Sequence, residues 1–313
     1  TFEVKYLHNQ ALVGKLAKIL KDKKIDCIHI NGLDSSVGAK VAKKLGIPYV
    51  WHIRAFIEDD LGKKLCHQNE TYKLASEANS VIGISKDIKS KFEKVAKRPV
   101  TVVYNGIPQE MYDVPDHEIM TGQQINMLLA GRISVQKGQM VAVKAVEILK
   151  SEGLDNILLT LIGQGETKEY LQSVKDYICE HGLEDAVHVL EHSDNLLKIR
   201  KKHDIGLTCS QREAFGRVTV ENMMAGLLAI GANSGGTPEI ITDGINGLLY
   251  QVDDPQSLAD VIKDAVNNVD KAKAIASCGY KHSIDKFSIK RVVDEVSSRS
   301  RAVPSCRVTP LAI

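Results

Sequence analysis

Short apolar runs alternate with amphipathic stretches along almost the whole of this 313-residue chain. The runs with the length of strands are Cys27–Ile30, Tyr49–Ile53, Ser80–Ile84, Val100–Tyr104, Asn126–Ala130, Ile157–Ile162, Val187–Leu190, Ile205–Thr208 and Leu227–Gly231. Two of the intervening helical patterns, residues 139–153 and 167–182, end on glycine, as helices often do. Continuous apolar strands that alternate with helices are typical of parallel sheets covered on both faces. The pattern therefore predicts an α/β fold.

One break interrupts this alternation, between Gly106 and Gln124, where the chain has two prolines and no sustained period. The break divides the chain into two predicted doubly wound domains. Because open parallel sheets bind ligands at the carboxyl ends of their strands, we expect the two domains to face each other across a cleft. The first domain opens on a helix at about residues 10–24. The predicted segments are a first domain (1–106), a linker (107–124), a second domain (125–282), a helix returning toward the first domain (283–300) and an irregular tail (301–313).

Charge is distributed unevenly along the chain. Residues 1–105 carry 19 Lys+Arg against 11 Asp+Glu, whereas the remainder carries 22 against 28. The basic excess fits either solvated helix faces or a surface that contacts an anionic membrane or an anionic acceptor. Aromatic residues are nearly absent among the basic ones, which argues against nucleic-acid binding.

Cysteine usage and hydropathy indicate the cellular compartment in which the protein acts. The six cysteines are scattered and form no CxxC pair, which favours a reduced, cytoplasmic environment. No apolar run approaches the roughly 18 residues that a membrane span requires. We expect a cytoplasmic protein, peripheral to the inner face of the membrane if its basic surface contacts lipid.

Glycines and basic residues follow the first two predicted strands of the second domain. Gly131-Arg132 and Lys137-Gly138 come after one strand, and Gly163–Glu166, with sequence GQGE, comes directly after the next. Arg suits fork-like contact with phosphate, Lys supplies a compact charge, and Gly lets a ligand approach the backbone. Taken alone, the basic residues of the first motif could simply face solvent, and the glycines of the second motif could simply form a tight turn.

Two carboxylates eight positions apart follow a later strand. Glu213 lies in a loop and Glu221 lies in a helix that begins near Gly216. Amides at a helix N-terminus bind phosphate, and carboxylates accept hydrogen bonds from sugar hydroxyls. The acids could instead complement the helix dipole or form a glycosidase pair. The neighbouring glycine and basic residues favour a phosphate site, which a glycosidase does not need.

His52 ends the strand Tyr49–Ile53 of the first domain, within the sequence WHIRAF. This position lies at the edge of the sheet where ligands collect. Both a structural role and a ligand-contacting role remain open for it.

Taken in this order, the motifs resemble those of the retaining, GT-B-fold glycosyltransferases of family four (glycosyl transferases group 1), of the bacterial polysaccharide type. The matching elements are GRxxxxKG at 131–138, GxG at 163–165, E-x7-E with E-x-FG at 213–221, and GG-x-PE at 235–239. They cover the second domain almost completely. In the first domain, WHIRAF and the sequence YNGI at 104–107 are similar to family segments.

The resemblance implies a role for each matching residue. Arg132 and Lys137 would neutralise the donor diphosphate, Glu213 would contact the transferred sugar, and Glu221 would contact the ribose. His52 would approach the sugar from the opposite wall. The residues carried over as catalytic are His52, Arg132, Lys137 and Glu213. The residues carried over as donor-binding are Gly131, Gly163, Gly165, Phe215, Gly216, Arg217, Val218 and Glu221.

The implied activity is transfer from a nucleotide sugar, with UDP or GDP as the nucleotide, to a glycan or lipid-linked acceptor. The resemblance implies retention of configuration and no cofactor. A divalent metal ion is not expected, and the sequence has no DxD motif to hold one. The resemblance does not identify the nucleobase of the donor, because Glu191 stands near the expected base pocket, where many family members have glycine. A glycoside phosphorylase is a weaker alternative, since no pyridoxal-binding motif is visible.

The first domain departs from the family pattern. The family's first domain begins with a strand and a Gly-rich loop that have no counterpart here, so a truncated N-terminus is expected. The alternative function is therefore a module that binds a nucleotide sugar without transferring it.

Overall fold

The computed structural model describes residues 2–33, 36–55, 67–108, 118–191, 193 and 195–301, with the backbone alone at 2–10 and 298–301. The middle of the expected linker (109–117), the expected tail beyond 301 and the last residue of WHIRAF lie outside these ranges. The chain divides into two compact units. Unit 1 runs to Asn105 and resumes at Lys290, and unit 2 spans Gly106–Ile289.

Unit 1 contains a parallel sheet in the order β1-β2-β3-β4. Its strands are β1 (Ile28–Asn31), β2 (Tyr49–Ile53), β3 (Ser80–Gly83) and β4 (Thr101–Val102). Its helices are α1 (Phe2–Lys21), α2 (Val37–Leu45), α3 (Gln68–Ser76), α4 (Lys86–Ala96) and, after unit 2, α12 (Ile289–Arg301). All five residues of β2 are buried, which places it at the centre of the unit. From α12, Val292 packs in one cluster with Val50 of β2, Ile82 of β3 and Val103, which directly follows β4.

Unit 2 contains a six-stranded parallel sheet in the order β10-β9-β8-β5-β6-β7. Its strands are β5 (Ile125–Ala130), β6 (Ile157–Ile162), β7 (Val187–Leu190), β8 (Ile205–Thr208), β9 (Leu228–Ala232) and β10 (Leu248–Tyr250). Its helices are α5 (Gln139–Ser151), α6 (Lys168–Glu180), α7 (Leu196–Arg200), α8 (Arg217–Met224), α9 (Thr237–Ile240), α10 (Pro255–Asn267) and α11 (Val269–Phe287). A short 3₁₀ turn, Val135–Lys137, precedes α5.

Both faces of the unit 2 sheet are covered, which explains why its strands are continuous apolar runs. Met127 and Leu129 of β5 belong to the large cluster formed with α5, α6 and α10. The alternate residues, Leu128 and Ala130, face the opposite side and pack against α7. The alternation follows from the two-residue repeat of a strand.

Glycine ends several helices through a recurring pair of backbone hydrogen bonds. After α5, the amide of Gly153 donates to Lys150, and the amide of Leu154 donates to Leu149. The same two bonds recur after α6 and α8. This is the Schellman motif, in which glycine adopts positive φ just beyond the helix and the next residue anchors the chain. The glycines that predicted helix ends thus lead the chain into the next buried strand.

Three elements differ most from the prediction, whereas several other strands are shifted or changed in length by one residue at an end. The first helix spans Phe2–Lys21 rather than residues 10–24, since no proline interrupts helical hydrogen bonding near its start. β4 is shorter than predicted, because only Thr101 and Val102 find partners on β3. β10 was not predicted, because three residues are too few to show a period and their pairing depends on β9. Of the helices described here, none is both long and hydrophobic enough to cross a membrane.

Candidate functional site

The loops that follow β5 and β6 meet at the carboxyl edge of the unit 2 sheet. The amide of Ile133 donates to Gln164 (2.9 Å), and the amide of Glu166 donates back to Ile133 (2.8 Å). Both Gly131 and Gly163 have positive φ, and a Cβ on Gly163 would overlap the carbonyl oxygen of Gly131. Glycine is therefore required where the two turns touch, and the motifs containing Gly131 and Gly163 form one surface.

The loops after β8 and β9 join this surface. A Cβ on Gly138 would overlap the backbone of Cys209, so the start of α5 lies directly against the end of β8. Gly236 donates its amide to the carbonyl of Glu213 (2.7 Å), and a Cβ on Gly235 would lie 2.5 Å from that oxygen. The predicted GG loop thus supports the backbone that carries Glu213.

Lys137 and Glu213 come together at the junction of these loops. Lys137 Nζ donates to Glu213 Oε1, and Ser210 Oγ donates to the same oxygen at 2.7 Å. The Glu213 side chain is 14% exposed, and its Oε2 accepts no hydrogen bond from the residues that the structure describes. The carboxylate is thus held through Oε1, and Oε2 remains available as an acceptor.

Arg132 lies on the same loop as Lys137 but reaches toward solvent. Its guanidinium pairs with Glu166 Oε1 at 2.8 Å, and its side chain is 51% exposed. The backbone of the loop is fixed by the fully buried Gln139, whose Nε2 donates to the Arg132 carbonyl (3.0 Å) and whose Oε1 accepts from Ser134 (3.2 Å). Arg132 thus combines a backbone held by hydrogen bonds with an exposed charge whose ion pair is weak.

Helix α8 begins at this edge without a side-chain cap. Gly216 occupies its N-cap position with φ 100°, and the amides of Arg217 and Val218 belong to the first turn, where helical amides lack intrahelical partners. These donors and the helix dipole favour an anion. Phe215 is only 2% exposed and packs edge-to-face on Phe287, so it offers a ligand its backbone and not its ring.

Glu221 lies one turn further along α8, and two arginines contact it. Arg200 donates to Oε2 at 2.8 Å, and Arg217 approaches Oε1 at 3.4 Å. The side chain of Arg200 is 1% exposed, whereas that of Arg217 is 61% exposed. Glu221 is therefore held from inside the unit by a buried cation.

His52 is the predicted residue that lies in unit 1, near the carboxyl end of β2. It is 5% exposed, and its ring centroid is 5.5 Å from that of His29. Within the described part of the chain, its Nε2 has no hydrogen-bond partner. Burial, followed by the nearby charge of Arg54, lowers the pKa of His52 to about 3. The imidazole is therefore neutral at pH 7.

The structure brings all the predicted residues of unit 2 to one sheet edge: Gly131, Arg132, Lys137, Gly163, Gly165, Glu213, Gly216, Arg217, Val218 and Glu221 by side chain or backbone, and Phe215 by backbone. Glu191 follows β7 and is exposed. Among the residues described, no three His, Cys, Asp or Glu side chains lie close enough to hold a metal ion.

Sequence reasoning missed three residues that shape this edge: Gln139, Arg200 and Ser210. Ser210 directly follows β8 and could have been found from that position. Arg200 lies in LKIRKK, which has the composition of an ordinary basic surface. Gln139 directly follows the Lys137-Gly138 motif, but nothing in the sequence indicates that its side chain is buried.

Two family models match the chain, and their limits agree with this division. The model described as glycosyl transferases group 1 matches residues 118–282, which is more than half of the chain. The model described as glycosyltransferase family 4 matches residues 2–110. The first range contains every predicted site residue of unit 2, and the second contains His52.

Individual proteins show the same relationship. An uncharacterized glycosyltransferase of Methanocaldococcus jannaschii is 27% identical over 307 residues, which cover 94% of this chain and 82% of that protein. N-acetyl-alpha-D-glucosaminyl L-malate synthase of Bacillus anthracis is 24% identical over 92% of this chain and 77% of its own length.

Solved structures show the fold. The crystal structure of Anabaena HepE in complex with UDP and glucose superposes with a TM-score of 0.81 at 23% identity, over 92% of this chain and 80% of that one. The expected GT-B fold and the expected family are confirmed by these comparisons. The chain therefore belongs to the glycosyl transferases group 1 family, whose members transfer sugars.

Proposed function

We propose that this chain transfers a sugar from UDP or GDP to a glycan or lipid-linked acceptor, with retention of configuration and without a metal ion. The observation that carries the proposal is the junction of Lys137 and Glu213 at adjacent strand ends, next to the uncapped start of α8. A cation, a helix N-terminus and a carboxylate with an available acceptor oxygen are what a phosphate-linked sugar needs.

The cations of the site would bind the diphosphate. Lys137 supplies a compact charge, Arg132 supplies a fork that can leave Glu166, and the amides of Arg217 and Val218 supply the positive end of α8. Because these donors stand where negative charge grows as the diphosphate leaves, they stabilise the transition state more than the ground state.

The carboxylates would hold the two sugars of the donor. Oε2 of Glu213 would accept hydrogen bonds from the transferred sugar, and Glu221 would accept them from the ribose. We assign His52 to the transferred sugar on the strength of the family resemblance. Its neutral imidazole suits a hydrogen bond to a hydroxyl.

Retention follows if the acceptor attacks the face from which the nucleotide departs. The bond between the anomeric carbon and the phosphate oxygen breaks, and a bond to the acceptor oxygen forms on the same face. The acceptor proton passes to the departing phosphate oxygen. In this scheme the residues of the chain bind and orient the reactants and form no covalent intermediate.

We further propose that the basic unit 1 contacts an anionic membrane at the cytoplasmic face, where a lipid-linked acceptor would reside. Lys94 and Lys97, at the end of α4, are exposed, and the unit as a whole has a basic excess. Charges of this kind attract a protein to anionic lipid with an energy of about 1 kcal/mol each.

The proposal is tested by a donor screen. UDP-, GDP- and ADP-sugars are added to the full chain, and both melting temperature and nucleotide release are recorded. A bound donor raises the melting temperature, and turnover releases free nucleotide. Absence of both effects with every donor rejects the proposal, and a melting shift without release or transfer favours the binding-module alternative.

Glu213→Gln is the sharpest variant for this screen, with Glu180→Gln on the exposed end of α6 as its control. We expect Glu213→Gln to lower kcat by roughly 10²- to 10³-fold, the range for loss of one transition-state contact. The control should leave kcat unchanged. Equal turnover by both variants would contradict the role of Glu213.

A further inference from the structure

A fully buried arginine stands behind the carboxylate that our proposed function assigns to the ribose. Arg200 is the last residue of α7, and its side chain is 1% exposed. It therefore cannot contact a ligand in this arrangement. Its partner Glu221 is 13% exposed and lies on the rim of the site, so the pair connects the interior of unit 2 with the ligand-facing edge.

Arg200 contacts two consecutive residues of α8 with different nitrogens of its guanidinium. One terminal nitrogen donates to Glu221 Oε2 at 2.8 Å, and Nε donates to Asn222 Oδ1 at 3.1 Å. Two bonds from one rigid plane fix the rotation of the guanidinium, which a lysine ammonium cannot do. The carboxylate of Glu221 is thus oriented as well as neutralised.

Asn222 is itself fixed by the sheet. It is 1% exposed, and a Cβ on Gly206 of β8 would overlap its side chain, so β8 and Asn222 pack in direct contact. β8 supports Asn222, Asn222 supports Arg200, and Arg200 supports Glu221. Each member limits the motion of the next.

The ligand-facing side of Glu221 is held much less firmly. Arg217 approaches Oε1 only at 3.4 Å and is 61% exposed. A carboxylate has about four acceptor positions, so the strong bond at Oε2 leaves acceptors for two neighbouring hydroxyls. A buried charge pair costs desolvation free energy, and buried pairs are often poor contributors to stability. Orientation of Glu221 is therefore the better explanation for the pair.

We propose that Arg200 is a positioning residue that holds Glu221 in the orientation that distinguishes ribose from 2′-deoxyribose in the donor nucleotide. A hydrogen bond from the 2′-hydroxyl to a charged acceptor changes affinity by roughly 10- to 100-fold when it is lost. This selectivity requires a fixed acceptor, because a mobile carboxylate would adapt to a single remaining hydroxyl. The inference rests on the proposed function and adds the residue that sets its sugar selectivity.

The test compares UDP with 2′-deoxy-UDP, and GDP with 2′-deoxy-GDP, by calorimetric titration of the full chain. The variants are Arg200→Met, Arg200→Lys and Asn222→Ala, each checked for folding by circular dichroism. The matched control is Lys198→Met, which removes one positive charge from an exposed position on the same short helix. The measured quantity is the ratio of the two dissociation constants, which a general loss of stability does not change.

We expect the wild type and Lys198→Met to bind the ribonucleotide roughly 10- to 100-fold more tightly than the deoxy form. In Arg200→Met and Arg200→Lys the ratio should fall to about threefold or less, and Asn222→Ala should give an intermediate ratio. An unchanged ratio in folded variants, even with weaker binding of both forms, overturns the role of Arg200.

If Arg200→Met does not fold, Arg200→Lys and Asn222→Ala decide between these outcomes. If the wild type binds neither UDP nor GDP, the proposed function is rejected together with this inference. Normal binding with an unchanged ratio in the variants rejects the inference alone.

Discussion

At the scale of single residues, the site is a set of charges whose partners differ in strength. Lys137 and Glu213 share a partly enclosed contact supported by Ser210, whereas Arg132 and Glu166 form a pair with both side chains substantially exposed. An exposed pair contributes about 0.2–1 kcal/mol. A bound diphosphate can therefore displace Glu166 from Arg132 at small cost.

This difference predicts the effect of Glu166→Gln. Removal of the competing carboxylate should tighten the binding of UDP or GDP by about two- to fivefold, which corresponds to the free energy of an exposed pair. Glu169→Gln, an exposed position nearby on α6, serves as the control and should leave the affinity unchanged. Calorimetric titration measures both. Weaker binding by Glu166→Gln would show that Glu166 does not compete for Arg132.

The buried His52 predicts a pH dependence of stability. Its pKa is about 3 in the folded chain against 6.5 for an ordinary histidine, so the unfolded chain binds more protons between these values. The free energy of unfolding should therefore fall as pH decreases from 6.5 toward 3. In His52→Gln, the urea midpoint should depend less steeply on pH between 6.5 and 4.

The control for this experiment is His188→Gln, an exposed position on β7. It should retain the full slope of the wild type. Parallel curves for His52→Gln and the wild type would show that His52 does not titrate in this window.

At the scale of elements, the carboxyl edge of the unit 2 sheet is assembled by loops that touch through glycine. Gly138, Gly163 and Gly235 each lie where a Cβ would meet the backbone of a neighbouring loop. The motifs therefore depend on one another for their shape. A side chain added at one contact should disturb the proposed site residues on the other loop.

Gly138→Ala tests this dependence, with Gly244→Ala as its matched control. Both glycines have nearly the same φ (68° and 69°), but only a Cβ on Gly138 meets other atoms, at the end of β8. Gly138→Ala should lower the free energy of unfolding by about 2–3 kcal/mol through overpacking. Gly244→Ala should cost about 1 kcal/mol, from backbone strain alone.

Activity separates the two variants further. Displacement of the loop that carries Lys137 should reduce kcat/KM in Gly138→Ala, whereas Gly244→Ala should keep the value of the wild type. Chemical denaturation and donor turnover provide the two readouts. Equal losses of stability in both variants would show that the loop contact is unimportant.

The same elements show how far the sequence could be interpreted. β6 was predicted to the residue because burial on both faces makes it a continuous apolar run, and Lys137 and Glu213 were found because they follow strand ends. β10 was missed because its existence depends on pairing with β9. Arg200 was missed because a basic residue near other basic residues carries no sign that it is buried. Burial and long-range pairing arise from the tertiary fold, which local sequence patterns do not encode.

At the scale of the whole molecule, the charge is divided between the two parts of the chain. The basic excess lies in residues 1–105 and the acidic excess lies beyond them, while the proposed diphosphate site keeps a local cluster of cations within the acidic part. Its cationic side chains are Arg132 and Lys137. The proposed function therefore assigns binding of the anionic donor to these local charges and not to the net charge of the chain.

The division of charge predicts how the chain responds to lipid. Lys94→Glu combined with Lys97→Glu should reduce co-sedimentation with vesicles that contain anionic lipid, and salt should reduce it further. Lys175→Glu combined with Lys281→Glu makes the same change in charge at exposed positions of unit 2 and serves as the control. Equal binding by both double variants, or binding that salt does not affect, would count against membrane contact by unit 1.

The central claim is that Arg132 and Lys137 bind the donor diphosphate without a metal ion. Titration of UDP and GDP into the wild type and into Arg132→Ala combined with Lys137→Ala, with EDTA present throughout, tests it most directly. The account predicts that the wild type binds one of the two nucleotides in EDTA and that the double variant binds it at least roughly 100-fold more weakly. Lys175→Ala combined with Lys281→Ala should bind like the wild type. Binding that EDTA abolishes in the wild type, or that the double variant retains, would contradict the account.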